Sequence, residues 1–433
     1  MTDITVGLFG VAVLMVGFLS GLELSVCMIL VGGAGFAYIK GLDAAFSVIA
    51  SDFYDVFVSY SFSVVPLFIL MGQLAFSGGI AKQIYNTAYR FGGHVPGGLA
   101  IATVLGATLF KAVCGSAAAT TATFTSVAIP EMDRFGYSRK LSTGIVATVG
   151  TLGMLIPPSV ALIVFGIIGQ QPIGKLFMGG LIPGLMLALL FMGVIFVWCR
   201  VNPSIGPRGK KYSWKERIAG LPEVGWPLAI FVVVVGGMLG GFFTPTQAGA
   251  VGAFTVLGFL LAMRHIKYRG VMDAVTESLR ASCMILTLLL GSTVLGHFIA
   301  LTGIPAITAD WVSGLPVSRW VVMIIICLVY LVGGSIIDDV AFVILATPIF
   351  FPSVERLGFD PIWFLITIAI TVAMGAVVPP VAMNVFIVKN MTKEPLSLIY
   401  SGVGPFLVGL VVCLILIFVF PQLVTWVPNT FVK

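Results

Sequence analysis

The sequence predicts an all-α polytopic membrane protein built as an inverted repeat, with two re-entrant helical hairpins and two broken helices. Three observations lead there. The chain is 59% hydrophobic and 9% charged over 433 residues, a balance no soluble fold carries. Two apolar runs, 141–169 and 362–388, are each interrupted by glycine and a proline pair. The second interruption repeats the first at an offset of 222, so that Gly153 and Pro157-Pro158 recur as Gly375 and Pro379-Pro380. The same offset carries Pro130 onto Pro352 and Gly136 onto Gly358. Interrupted segments at corresponding places in two halves point to a transport site.

In chain order, the runs 4–19 and 22–39 read as two spans joined at Ser20-Gly21, since crossing takes about 20 apolar residues. A mixed loop with three acids follows at 40–55, then a third span at 56–76 containing Pro66, then a polar loop at 77–96. Residues 97–130 are apolar but carry small residues from Cys114 to Thr121. They read as a re-entrant hairpin with that stretch at its tip. A basic loop at 131–140 precedes the first broken helix, 141–169. A span at 176–199 leads to the most polar stretch, 200–224, which divides the halves. Runs 225–241 and 246–263 form a helical hairpin about Thr244-Pro245, and 264–280 is a second basic loop. Then come a span at 281–301, an outer loop at 302–316 and the second re-entrant hairpin at 317–351, with Gly333-Gly334 and Asp338-Asp339 inside. A loop at 352–361, the second broken helix at 362–388 and a last span at 401–424 complete the chain.

Charge sets the orientation. With the N-terminus outside and both hairpins re-entrant, the cytoplasmic loops are 77–96, 131–140, 200–224, 264–280 and 389–400. They hold 17 of the 23 Lys and Arg residues, as the positive-inside rule requires. One hairpin then enters from the cytoplasm and the other from outside.

The chemistry concentrates at the interruptions. Proline lacks a backbone N–H and glycine loosens the chain, and carbonyls freed in a membrane must be buried in protein or line a cavity. A kink used only for packing is the alternative for either break alone. At the first tip, Ser116, Thr120 and Thr121 concentrate hydroxyl oxygens, to which the Gly150–Gly153 break could add carbonyls, a donor set suited to a small hard cation. Helix N-termini nearby would favour a carboxylate, whereas small residues also serve close helix packing. Asp338 and Asp339 lie in an apolar run, where a carboxylate is costly and functional by default. One of them is expected to cap a helix starting at Val340. Lys111, one turn before the tip, has three options: pairing with a carboxylate, snorkelling to the cytoplasmic side, or facing the cavity to attract an anion. Glu23 reads as structural, His94 and His265 as loop residues, and His297 as hydrogen-bonded. The six cysteines lack metal-ligand spacing. Without a nucleophile–base pair, a Walker motif or an HExxH motif, the chain is not expected to be an enzyme, and no cofactor is expected.

With these residues in hand, the sequence resembles the large membrane subunit (M subunit, DctM type) of tripartite ATP-independent periplasmic (TRAP) transporters over nearly its whole length. The resemblance rests on Pro66 to Gly72, Gly97 to Ala100, Gly115-Ser116 with Ala119-Thr120, and Ile129 to Met132. It continues through Gly136-Tyr137, Gly150 to Ser159, Pro183-Gly184, Thr244 to Thr246, Asp338 with Pro348-Ile349, and Pro379 to Val381 with Asn384.

The resemblance implies elevator-type, sodium-coupled symport of a small organic anion, such as a carboxylate or sugar acid, into a bacterial or archaeal cell across the inner membrane. It implies a small four-helix membrane subunit (Q) and a periplasmic substrate-binding protein (P). A self-sufficient ion-coupled anion transporter with the same hairpins is the alternative. Carried over by position, one sodium site involves Gly115, Ser116, Thr120, Gly150 and Gly153. The other involves Gly333, Gly334, Asp338, Thr371, Met374 and Gly375. Lys111, Thr121, Pro157, Ser159 and Asn384 are the substrate-binding candidates. The chain departs from the commoner family pattern at Lys111, Gln247 and Ala373. It begins directly with an M-type first helix, so no fused small subunit is expected. Residues 1–76 and 177–280 are assigned to the scaffold, 77–176 and 281–400 to the two halves of the transport domain, and 401–433 to a C-terminal helix.

Overall fold

The computed structural model describes residues 3–314 and 317–431, which form helices joined by turns and loops, with no strand among them. Among the described residues, seven helices are long and apolar enough to cross a bilayer, including Ile173–Val201, Tyr268–Leu301 and Leu396–Val419. Leu189, Val197, Phe254 and Ile415 project from such helices as exposed apolar side chains, the expected dress of a lipid-facing surface.

The second hairpin arms match to the residue. The offset of 222 carries Ala117–Arg134 onto Asp339–Arg356, and the start of Arg139–Val149 onto the start of Pro361–Gly375. Gly136 and Gly358 close the two hairpins with φ of +71° and +72°, the left-handed conformation that ends a helix and favours glycine.

The first hairpin pairs Gly98–Lys111 with Ala117–Arg134. Its first arm has 14 residues, about 21 Å at 1.5 Å per residue, short of the ~30 Å hydrocarbon layer. The second hairpin pairs Arg319–Ile336 with Asp339–Arg356.

The first broken helix runs Arg139–Val149, tightens to a 3-10 turn over Gly150–Met154 and resumes at Val160–Ile168. The second runs Pro361–Gly375 and resumes at Met383–Thr392. Both contain a cis Pro-Pro bond, Pro157-Pro158 and Pro379-Pro380. In each half the hairpin tip satisfies backbone groups that its own break sets free. Val160 N donates to Gly115 O at 3.4 Å, while Val381 N and Ala382 N donate to Ser335 O at 3.1 and 3.2 Å. The Ser159 hydroxyl donates to Gly153 O at 2.8 Å.

Several expected loops are helices. Residues 42–55 belong to Leu42–Val58, on which Ala45, Ile49, Asp52 and Val56 recur at helical spacing and turn inward. Residues 77–96 contain Ile80–Gly92, with Ile80, Ala81, Ile84, Tyr85 and Ala88 buried. The basic stretch 264–280 is the start of Tyr268–Leu301, one continuous helix of 34 residues. Ile304–Gly314 fills most of 302–316, of which 315 and 316 lie outside the described residues. The loop at 131–140 shrinks to 135–138. A helix resumes at Trp214, behind a Ser213–Glu216 capping box, inside the polar stretch 200–224. The last span is Leu396–Val419, followed by Gln422–Phe431. The physical reason is common to the first three. Apart from the buried Asp52, their charges occupy the outer side of amphipathic helices, and charge content alone does not distinguish that from a loop.

The five basic stretches are tied together. Gly97 N donates to Gly206 O, Gly209 N to Gly93 O and Ser138 N to Ile205 O, at 2.9, 2.8 and 2.9 Å. Gln83 meets His265 at 2.9 Å, and Arg139 meets Glu394 at 3.7 Å. This gathering suits one cytoplasmic face. Single cysteines in a cysteine-free background at Lys82, Lys211 and Arg269 are therefore expected to react with an impermeant thiol reagent only from the cytoplasm, and one at Asp310 only from outside. Labelling of position 211 from outside would overturn the orientation.

Candidate transport site

A cavity of about 200 Å³ separates two groups of helices. On one side stand both hairpin tips, as residues 115–119 and 338–340, with Gly153, Met154 and Asn384 of the two broken helices. On the other stand Phe68, Ile69, Gly72 and Gln73 of Val64–Ser77, with Met284, Ile285 and Leu288 of Tyr268–Leu301. Both tips thus lie inside the protein at a shared cavity.

Each hairpin's second arm starts at that cavity behind a capping side chain. Ser116 Oγ accepts from Ala119 N at 3.2 Å, and Asp338 Oδ1 accepts from Ala341 N at 3.1 Å. The helix begins at Asp339, one residue before the expected Val340. Asp339 is buried and accepts from Val340 N at 2.8 Å. Two helix N-termini therefore point their positive ends at one cavity, which favours an anion there.

The five first-half residues expected around a cation converge. Ser116 O accepts from Thr120 Oγ1 at 3.0 Å and from Lys111 Nζ at 2.5 Å. A Cβ placed on Gly153 would collide with Lys111 Nζ, and one on Gly150 would collide with Thr121 Oγ1. Gly115 packs so closely that its Cβ would lie 2.9 Å from Pro158 O. Lys111 is 0% exposed. It does not snorkel to the cytoplasmic side, because the bare backbone of Gly153 gives its stem room inward, where a carbonyl receives the ammonium.

The second-half residues are split. Gly334 and Gly375 meet backbone to backbone, with a Cβ on Gly375 falling 2.6 Å from the Gly334 carbonyl carbon. Gly333 faces the Phe342 ring. The Thr371 hydroxyl donates back to Thr367 O at 2.8 Å, within its own helix. Met374 is buried, and Asp338 stands at the cavity.

Among the substrate candidates, Asn384 lines the cavity. It is 2% exposed and its side-chain nitrogen has no hydrogen-bond partner. Lys111, Thr121, Pro157 and Ser159 are buried behind the wall. The sequence reading passed over Gln73 and the apolar side chains of the opposite wall, which carry no chemical signal. It left the role of Asp339 open. His297 is hydrogen-bonded as expected, to Asp52 Oδ1 at 3.2 Å. Glu23 occupies a helix N-cap without a side-chain capping bond.

Two inverted hairpin–break pairs that share a cavity with flanking helices are the architecture of a membrane permease. The sequence places it further: the chain belongs to the DctM family, its residues 11–423 matching the family described as the tripartite ATP-independent periplasmic transporter, DctM component. It is 34% identical over 371 residues to the C4-dicarboxylate TRAP transporter large permease protein DctM of Pseudomonas aeruginosa, covering 86% of each chain. It is 32% identical over 370 residues to the isethionate TRAP transporter permease protein DctMQ of Oleidesulfovibrio alaskensis, covering 83% of this chain and 56% of that one. Its fold is similar to the crystal structure of the Alcanivorax borkumensis YdaH transporter, with a TM-score of 0.60 and 13% identity, covering 89% of this chain and 90% of that one. The protein is thus a large permease component of a TRAP transporter.

Proposed function

We propose that this permease carries a small organic anion inward across the bacterial or archaeal inner membrane, coupled to sodium, together with a small membrane subunit and a periplasmic binding protein. The observation that carries this reading is the cavity itself. Two helix N-termini and the unpaired Asn384 nitrogen offer positive ends and a donor to an anion. The adjacent Asp338 carboxylate and the carbonyls of the second hairpin–break contact suit a hard cation. Substrate is a C4-dicarboxylate or a chemically related acid, the class named for the Pseudomonas relative. The name of the Oleidesulfovibrio relative supports a two-component membrane part. Transport proceeds as an elevator, with the hairpins and broken helices moving as one body against the helices of the opposite wall.

Asn384→Ala is expected to weaken substrate binding roughly 10- to 100-fold, the weight of a hydrogen bond to a charged group, without loss of folded protein. Titration of a dicarboxylate against the purified variant measures this. The function is tested in proteoliposomes over a panel of carboxylates, with and without the binding protein. Uptake that needs no binding protein would point to a self-sufficient transporter.

A further inference from the structure

At the offset of 222, Lys111 falls on Gly333, Ser116 on Asp338 and Gly153 on Gly375. The two cradles therefore share a backbone plan and carry opposite charge. The second half offers a carboxylate, Asp338, and no basic side chain at the lysine's position. The first half offers an uncharged Ser116 and a fully buried ammonium. Lys111 Nζ lies against Gly153, on the carbonyl of Ser116, between the hairpin tip and its break. Among the described residues it forms no ion pair.

We propose that the Lys111 ammonium is a built-in cation that fills the first-half cradle in place of a sodium ion, so that sodium binds only in the second half. An ammonium and a sodium ion make the same demand on this geometry, a positive charge faced by carbonyl oxygen. Both cannot occupy it, because they would overlap in space and repel in a medium of low dielectric. A buried lysine also occupies the space between hairpin tip and break at every stage of transport, whereas a sodium site would fill and empty. The proposal rests on the cation-cradle reading given above, and it changes the number of coupled ions.

Equilibrium binding of radioactive sodium to the purified full-length protein tests it. Lys111→Ala, and Lys111→Met with most of the stem retained, are each expected to bind one more sodium ion per protein than the unmodified chain. Their thermal stability should gain a further dependence on sodium that the unmodified protein lacks. If Lys111→Ala does not fold, Lys111→Met decides. An unchanged sodium count in folded Lys111→Met would overturn the proposal. So would a loss of substrate affinity with no gain of sodium, which would assign the ammonium to the anion. Asp338→Asn separates this from the sodium reading of the second half. If the unmodified protein binds no sodium and Asp338→Asn changes nothing, that reading fails. The appearance of a sodium ion in the Lys111 variants would still support the built-in cation, and its absence would still overturn it.

Discussion

Replacing Asp338 with asparagine is expected to remove sodium-driven transport while leaving the protein folded. Asparagine caps helices about as well as aspartate, so the bond from Ala341 N, 3.1 Å in the structure, has an acceptor in both. The charge does not survive. A unit charge at about 4 Å from a cation contributes roughly 4 kcal/mol at an effective dielectric constant near 20. The retained amide oxygen offsets part of that. Sodium affinity should therefore fall by roughly 100- to 1,000-fold, with the melting temperature in detergent almost unchanged. A parallel measurement of sodium affinity and melting separates this from general damage. A variant with unchanged sodium affinity would free Asp338 of any role beyond capping.

The largest effect on stability is expected from Gly144→Leu. Arg139–Val149 crosses Leu396–Val419 with Gly144 directly against Gly402. A Cβ on Gly144 would collide with the Gly402 carbonyl group and lie 2.7 Å from its Cα. These are backbone atoms, which cannot rotate away as a side chain would. Small residues permit such close crossing, which is a main source of helix association in membranes. Separating the pair would also displace the first broken helix from its support. The cost should reach about 3 kcal/mol or more, the upper part of the range for overpacking. Thermal unfolding in detergent, followed with the conservative Gly144→Ala alongside, measures it. The expected order is unmodified, alanine, then leucine, with leucine near or below the threshold for recovering folded protein.

The features that set the fold were legible where backbone chemistry decides. Gly153 with Pro157-Pro158, repeated as Gly375 with Pro379-Pro380, marked both breaks because proline and glycine act locally, whatever surrounds them. The tip at Ser116 was legible for the same reason. Residues 40–55 and 77–96 were misread as loops because their charges were weighed and their buried stripes, such as Ile80, Ile84 and Ala88, were not. Lys111 was legible as a problem, a charge in an apolar hairpin, but not as a solution. Its inward course depends on space at Gly153, which only the folded contact between hairpin and break creates. The signal that would have helped was the repeat itself: extended from the prolines to the polar positions, it sets Ser116 opposite Asp338 and Lys111 opposite Gly333. The unpaired nitrogen of Asn384 had no such signal, because lacking a partner is a property of the packed site.

The most direct measurement is concentrative uptake of a labelled C4-dicarboxylate into proteoliposomes that hold this permease with its small membrane subunit, with the binding protein supplied outside. The expected result is uphill accumulation under an inward sodium gradient, none when potassium replaces sodium, and collapse of the accumulation in Asp338→Asn. Equal accumulation under sodium and potassium, or full sodium dependence in Asp338→Asn, would contradict sodium coupling through this cavity.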